Sequence, residues 1–142
     1  MTHITIQGER FFMDGLPTYP GRTWRGQRIE GLLPNSRMVQ ATFDDENPET
    51  RGLWAYPDTG LWDPKRNVQE LIAALPTYRA HGLLAITVNL QGGNPQGYRR
   101  DQPWHNSAYR ADGTLKADYL DRMARVIATC DRLGMAVILG LY

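Results

Sequence analysis

Apolar residues follow two patterns that alternate along the chain. One is the three- to four-residue spacing typical of helices, and the other is the continuous run typical of strands buried on both faces. From Pro64 to Gly82 they repeat every three or four residues, which predicts a helix with one buried face, and Asp63 is a suitable N-cap for it. The same spacing over about 115–133 predicts a second helix. Each helix precedes a nearly continuous apolar run, at 83–90 and at 135–142, as in strands buried on both faces.

The amino-terminal part follows a different pattern. Two short runs, Ile4–Ile6 and Arg10–Met13, are separated by a break at Gly8 and end before the turn signal Asp14-Gly15, which predicts a small β-hairpin with an irregular lead-in over residues 1–28. We treat residues 29–142 as the second part of the chain. The apolar run Ile29–Leu33, which ends at Pro34, predicts the first buried strand of this part. Strands that alternate with helices indicate βαβ units and a parallel sheet.

Two long polar segments, 34–63 and 92–113, each follow a predicted strand, whereas the turns after the helices are short. In sheets of this kind, ligand sites form where the strands end, so we expect any site in these segments. Asn35 and Arg37 follow the first predicted strand and can orient a ligand through hydrogen bonds and charge. They can equally cap a turn and pair with Asp44 or Asp45. The adjacent Asp44 and Asp45 can hold a cation or sugar hydroxyls, or can simply form a turn.

Seven aromatic residues fall in the predicted loops and not on the helix faces. Aromatic rings stack on apolar faces, including those of pyranose sugars, although any one ring can instead close the core. As a group they favour a carbohydrate or another extended ligand, and the set is Trp24, Trp54, Tyr56, Trp62, Tyr98, Trp104 and Tyr109. Asn89 and Gln91 end the next strand and can bond to such a ligand. His105, beside Trp104, is the histidine that we would test as a ligand contact.

Composition narrows the function further. The 16 Lys+Arg nearly balance the 15 Asp+Glu, so charge gives no long-range attraction to nucleic acid or to an anionic membrane. The chain has one cysteine, so it cannot form a disulfide framework, and this cysteine and the three scattered histidines form no recognisable zinc-binding motif. No apolar run is long enough to span a bilayer. The segment GGNPQG lacks the spacing of a nucleotide-binding loop, so we predict no cofactor.

Several phrases resemble the amino-terminal portion of bacterial cellulase-like proteins, which are glycoside hydrolases with a (β/α)8 barrel. The phrases extend over essentially the whole chain and are IQGERFFMDGLPTYPGRTW, IEGLLPNSRMVQATFDD, YPDTGLWDPKRN, VNLQGGNPQGY and GMAVILGLY. The resemblance implies that residues 29–142 are about three βα units of such a TIM-type barrel, preceded by the short hairpin. It also implies an oligo- or polysaccharide substrate with β linkages.

The same resemblance implies a catalytic pair of glutamates beyond residue 142, so we expect this chain to carry substrate-binding loops without catalytic residues. We also expect it to be the first part of a longer protein; a complete short protein that dimerises is the alternative. A non-catalytic carbohydrate-binding barrel, or a barrel isomerase or lyase, remains open, because one fold hosts many reactions. No signal peptide is visible, which favours the cytoplasm if Met1 is the natural start.

Overall fold

The computed structural model of the protein describes residues 1–38, 40–91 and 104–141. The predicted amino-terminal hairpin is confirmed: β1 (Ile4–Gln7) pairs antiparallel with β2 (Arg10–Met13). A third strand, β3 (Leu16–Pro17), extends this sheet beyond the tight turn at Asp14-Gly15, where both residues have positive φ. A separate two-stranded ribbon follows, made of β4 (Thr23–Trp24) and β5 (Gln27–Arg28).

The carboxyl-terminal part of the chain forms a parallel sheet. Its strands are β6 (Asn35–Arg37), β7 (Ala85–Asn89) and β8 (Ala136–Gly140), in that order across the sheet. Helix α1 (Pro64–Ala80) connects β6 to β7, and α2 (Ala117–Arg132) connects β7 to β8. The predicted parallel pairing is therefore confirmed for β7 and β8, whereas β6 is a strand that the sequence did not predict.

The prediction of the first three units of a (β/α)8 barrel is wrong. The described residues form two helices and three small, separate sheets, of which two are antiparallel and only one is parallel. Five of the eight strands belong to the antiparallel sheets of residues 4–28. The parallel sheet contains only three short strands, so it is a small three-stranded sheet and not part of a closed barrel.

The prediction of a first strand at Ile29–Leu33 is also wrong, because the backbone of this segment forms hydrogen bonds with the amino-terminal sheet. The Gly31 carbonyl accepts a hydrogen bond from the Phe11 N–H, and the Gly31 N–H donates to the Thr18 carbonyl. Gly31 has φ +85°, and a Cβ there would lie 2.7 Å from the Arg10 side chain, so only glycine fits this turn. The strand begins instead at Asn35.

The core lies between the parallel sheet and the helices. Ile86 and Val88 of β7 pack against Val68 and Leu75 of α1 and against Val126 of α2, in one buried cluster. Asp63 caps α1 by accepting hydrogen bonds from the N–H groups of Lys65 and Arg66. Pro76 does not end this helix, which continues to Ala80. A second cluster, which includes Leu90, Ala108 and Tyr119, supports the chain after β7.

Candidate functional site

The loops that follow β6 and β7 meet beyond the carboxyl ends of the parallel strands. At this edge the Leu90 N–H donates to the Gly140 carbonyl, and the Ala108 N–H donates to the Leu90 carbonyl. The Glu46 N–H donates to the His105 carbonyl at 3.1 Å and joins the two loops directly. A ligand at this edge can therefore contact both loops at once.

Asp45 organises the first loop from inside. Its side chain is fully buried, and Oδ1 accepts a hydrogen bond from the Asn47 N–H at 2.9 Å. Oδ2 accepts from the Thr50 hydroxyl at 2.7 Å and from the Trp54 indole at 3.0 Å. With both oxygens occupied and no exposure, Asp45 stabilises the loop and is not available to a ligand.

Asp44 joins the first loop to α2. Its Oδ1 accepts from the Trp62 indole at 3.1 Å, and its Oδ2 lies 3.9 Å from Nη2 of Arg122. Arg122 is buried and also donates through Nε to the Thr42 carbonyl at 3.1 Å. The ion pair that the sequence suggested between Arg37 and these aspartates is not formed; Arg122 is the partner of Asp44.

Most aromatic rings of the first loop pack on one another. Phe43 is fully buried, with ring centroids 4.5 Å from Trp54 and 5.6 Å from Trp62. Tyr56 stacks on Trp62 at 6.0 Å, and the Arg66 guanidinium lies over the Tyr56 ring. The rings of Trp54 and Trp62 therefore form a small aromatic core, the alternative that the sequence left open for each ring.

The second loop is fixed by Lys116, which lies just before α2. Its ammonium donates to the Trp104 carbonyl at 2.7 Å and lies 3.0 Å from the Glu46 carboxylate. The Lys116 side chain is only 8% exposed, so this tie is well shielded from water. The ring of His105 contacts the ring of Trp104, with centroids 3.6 Å apart. Two residues that sequence reasoning did not select, Glu46 and Lys116, thus set the position of Trp104.

Gln91 and Trp104 line one groove of about 390 Å³ at this edge of the sheet. The Trp104 side of the groove is open, since 38% of this residue is exposed. Other groups at the groove offer both apolar surface and hydrogen-bond donors or acceptors, namely Ser107, Tyr109, Arg110, Ala111 and Leu141. Tyr109 is placed by its hydroxyl, which donates to the Leu141 carbonyl at 3.5 Å. We call this set of residues the aromatic groove.

Asn35 and Arg37 lie elsewhere, because β6 starts later than expected. Both residues are within the strand and not beyond its end, and Asn35 is at the amino-terminal end of the sheet, paired in register with Ala85. The Asn35 Oδ1 accepts from the Thr87 hydroxyl at 2.6 Å. Arg37 lines a different groove, which α1 borders.

Asn89 lies at the end of β7 and is half-buried, with its Oδ1 close against Gly140 of the neighbouring strand. The backbone carbonyl of Asn89 accepts from the Tyr119 hydroxyl at 2.6 Å. Burial raises the pKa of Tyr119, so this hydroxyl remains a donor at neutral pH. The structure thus keeps Asn89 near the carboxyl edge, where the sequence predicted it. Tyr98, also predicted for the site, lies outside the described residues.

Sequence reasoning missed the residues of α2 that hold the loops. Arg122 was the detectable signal: it lies three residues after Tyr119 and four before Val126, on the apolar face of the helix. A charged residue on a buried face requires a partner, and the polar loop before α1 supplies it through Asp44. Ile127, four residues after Met123 and three before Cys130, has the spacing of the same face but is exposed.

Within residues 1–38, 40–91 and 104–141, no three His, Cys, Asp or Glu side chains gather in a way that could hold a metal ion. In the same residues, neither helix has the length and apolar character needed to cross a membrane. No protein-family model, curated protein or solved structure matches the chain in the comparisons with known proteins.

Proposed function

We propose that the aromatic groove binds a β-linked oligosaccharide, as the substrate-binding wall of a glycoside hydrolase does. One observation carries the proposal: Gln91 and Trp104, chosen from the sequence as sugar contacts, line the same groove although twelve residues separate them. The indole offers a flat apolar face for a pyranose ring. The amide beside it can donate to and accept from sugar hydroxyls.

The support of Trp104 fits this role. A ring that binds sugar by stacking must hold its orientation before the ligand arrives, because ordering it on binding would cost affinity. Lys116 holds the Trp104 backbone, and His105 packs against the indole ring. The open side of the indole remains accessible in the groove.

No catalytic role is assigned to a described carboxylate at this edge. Glycoside hydrolysis uses two carboxyl groups on opposite sides of the scissile bond. Asp45 is buried and fully bonded, Asp44 bonds to Trp62, and Glu46 pairs with Lys116. Hydrolysis belongs to the proposal through the sequence resemblance alone, and the groove itself supports binding.

Titration of the protein with cellotetraose, followed by NMR, tests the proposal. We expect shifts at the Trp104 indole and the Gln91 amide. Trp104→Ala should weaken binding by ~1–3 kcal/mol, the range known for stacking of nucleic-acid bases on aromatic side chains. Trp24→Ala is the matched control, because Trp24 is 61% exposed on the β4–β5 ribbon and does not line the groove. Equal loss in both variants, or no shifts at millimolar sugar, would contradict the proposal.

A further inference from the structure

A second cavity lies at the opposite end of the parallel sheet. It has a volume of about 870 Å³ and separates the amino-terminal sheet from the turns that lead into β7 and β8. Gly82 and Gly134, the glycines of those turns, line the cavity, whereas the aromatic groove lies beyond the carboxyl ends of the strands. The two sites therefore share no residue and lie at opposite ends of the strands.

Three basic side chains line this cavity: Arg22, Arg79 and His81. None of them forms an ion pair with a described carboxylate, in contrast to Arg66 and Arg122. Asp14 is the acidic residue of the lining, and one of its oxygens already accepts from the His3 N–H at 2.8 Å. The cavity therefore has an excess of positive charge.

The basic groups are partly oriented by backbone carbonyls. Arg79 donates through Nε to the Leu133 carbonyl at 3.1 Å, and its two terminal nitrogens bond to no residue among those that the structure describes. His81 Nδ1 lies 2.8 Å from the Thr77 carbonyl, which can only accept, so Nδ1 carries the proton and Nε2 is the nitrogen left over. Arg79 and His81 lie at the carboxyl end of α1, where the negative end of the helix dipole favours basic residues, so their presence has a structural explanation. This explanation does not account for Arg22, which the amino-terminal region contributes.

One wall of the cavity is a strained aromatic residue. Tyr19 has φ +50°, a conformation that a bulky side chain rarely adopts. Its hydroxyl donates to the Gly82 carbonyl at 3.0 Å and fixes the ring across the gap between the two parts of the protein. Backbone strain of this kind is concentrated at ligand sites, where the surrounding structure maintains it.

We propose that this cavity binds a small organic phosphate. The guanidinium groups of Arg22 and Arg79 take the phosphate, because planar guanidinium forks match its oxygens. The organic part contacts the apolar lining, which includes Met13, Leu16, Ile29 and Leu84. This site is independent of the glycan proposed for the aromatic groove.

The test uses the full chain labelled with ¹⁵N and titrated with phenyl phosphate, inorganic phosphate and benzyl alcohol. We expect phenyl phosphate to shift the Arg22 and Arg79 Nε signals and the His81 ring signals. It should bind more tightly than inorganic phosphate, because its ring adds apolar contact. Benzyl alcohol should leave these signals in place.

Variants separate a site from general attraction to positive charge. Arg22→Ala changes an exposed residue and should weaken phenyl phosphate binding about tenfold, as expected for loss of a charged hydrogen bond. Arg79→Ala should act similarly. Arg132→Ala is the matched control, because Arg132 occupies the last turn of α2 and does not line the cavity. Equal weakening by Arg132→Ala, unchanged affinity in Arg22→Ala, or equal shifts with benzyl alcohol would overturn the proposal.

Discussion

The ammonium group of Lys116 donates a hydrogen bond to the Trp104 carbonyl at 2.7 Å, and the same group lies 3.0 Å from the Glu46 carboxylate. One shielded cation thus joins the loop after β6, the loop after β7 and the start of α2. A point charge on a flexible stem suits this position, because it can satisfy acceptors from several directions. The position of the Trp104 indole in the aromatic groove depends on this contact.

Lys116→Met should release the Trp104 loop. Met keeps the apolar stem but removes the charged donor, so the Trp104 and His105 carbonyls lose a partner. We expect the free energy of unfolding to fall by about 2 kcal/mol, within the range for a charged hydrogen bond. Urea denaturation gives this value, and faster hydrogen exchange in residues 104–108 would show that the loss is local.

Lys65→Met is the control for this change, since Lys65 is the only other lysine and its side chain is exposed. Surface substitutions of this kind usually change stability by less than about 0.5 kcal/mol. A similar loss in both variants would mean that Lys116 contributes only general charge and does not hold Trp104.

Asp45→Ala should destabilise the first loop more than any exposed acidic substitution. It leaves the Thr50 hydroxyl and the Trp54 indole without their common acceptor inside the protein. We expect a loss of about 2–3 kcal/mol in urea denaturation and a change in near-ultraviolet circular dichroism from the disturbed indole. Asp121→Ala, at an exposed position of α2, is the comparison and should be nearly neutral. Equal stability of the two variants would show that the buried hydrogen bonds of Asp45 contribute little.

Gly140→Ala should displace the side chain of Asn89. A Cβ at position 140 would collide with the Asn89 Oδ1, so the amide must turn away from β8. The amide is the end of a side chain that can rotate, so the free energy of unfolding should fall by at most about 1 kcal/mol, the low end of overpacking costs, and the Asn89 side-chain amide signal should move in an NMR spectrum. Gly52→Ala is the matched control, because an added Cβ there meets nothing within 4 Å. An unchanged Asn89 signal in Gly140→Ala would contradict the contact.

Local signals in the sequence predicted the two helices and two of the three parallel strands, β7 and β8. Asp63 and Pro64 start α1 as expected, because an aspartate cap and a proline at the first position both satisfy the requirements of a helix start. The apolar run 83–90 contains β7, which pairs with parallel strands on both sides. These features depend on residues close to one another in the chain, so the pattern is sufficient to find them.

Features that depend on distant contacts were not predictable in this way. Ile29–Leu33 has the composition of a strand, but the hydrogen bonds that Gly31 forms with the Phe11 N–H and the Thr18 carbonyl hold its centre in a turn. The loop aspartates illustrate the same limit for the candidate site. Their sequence allows ligand contact as well as turn formation, and only the position of Arg122, far along the chain, decides the partner of Asp44.

Cys130 should make stability depend on pH in the alkaline range. The thiol is fully buried in the main core, and burial raises its pKa from 9.0 to about 11. The unfolded chain loses this proton first, so the contribution of the neutral thiol is fully present below pH 9 and is lost as the pH rises through about 11. Cys130→Ala removes this effect while other groups titrate as before. The stability advantage of the wild type over Cys130→Ala in urea denaturation with a reductant should therefore shrink between pH 8 and pH 10.5. A constant difference across that range would mean that the thiol ionises equally in both states.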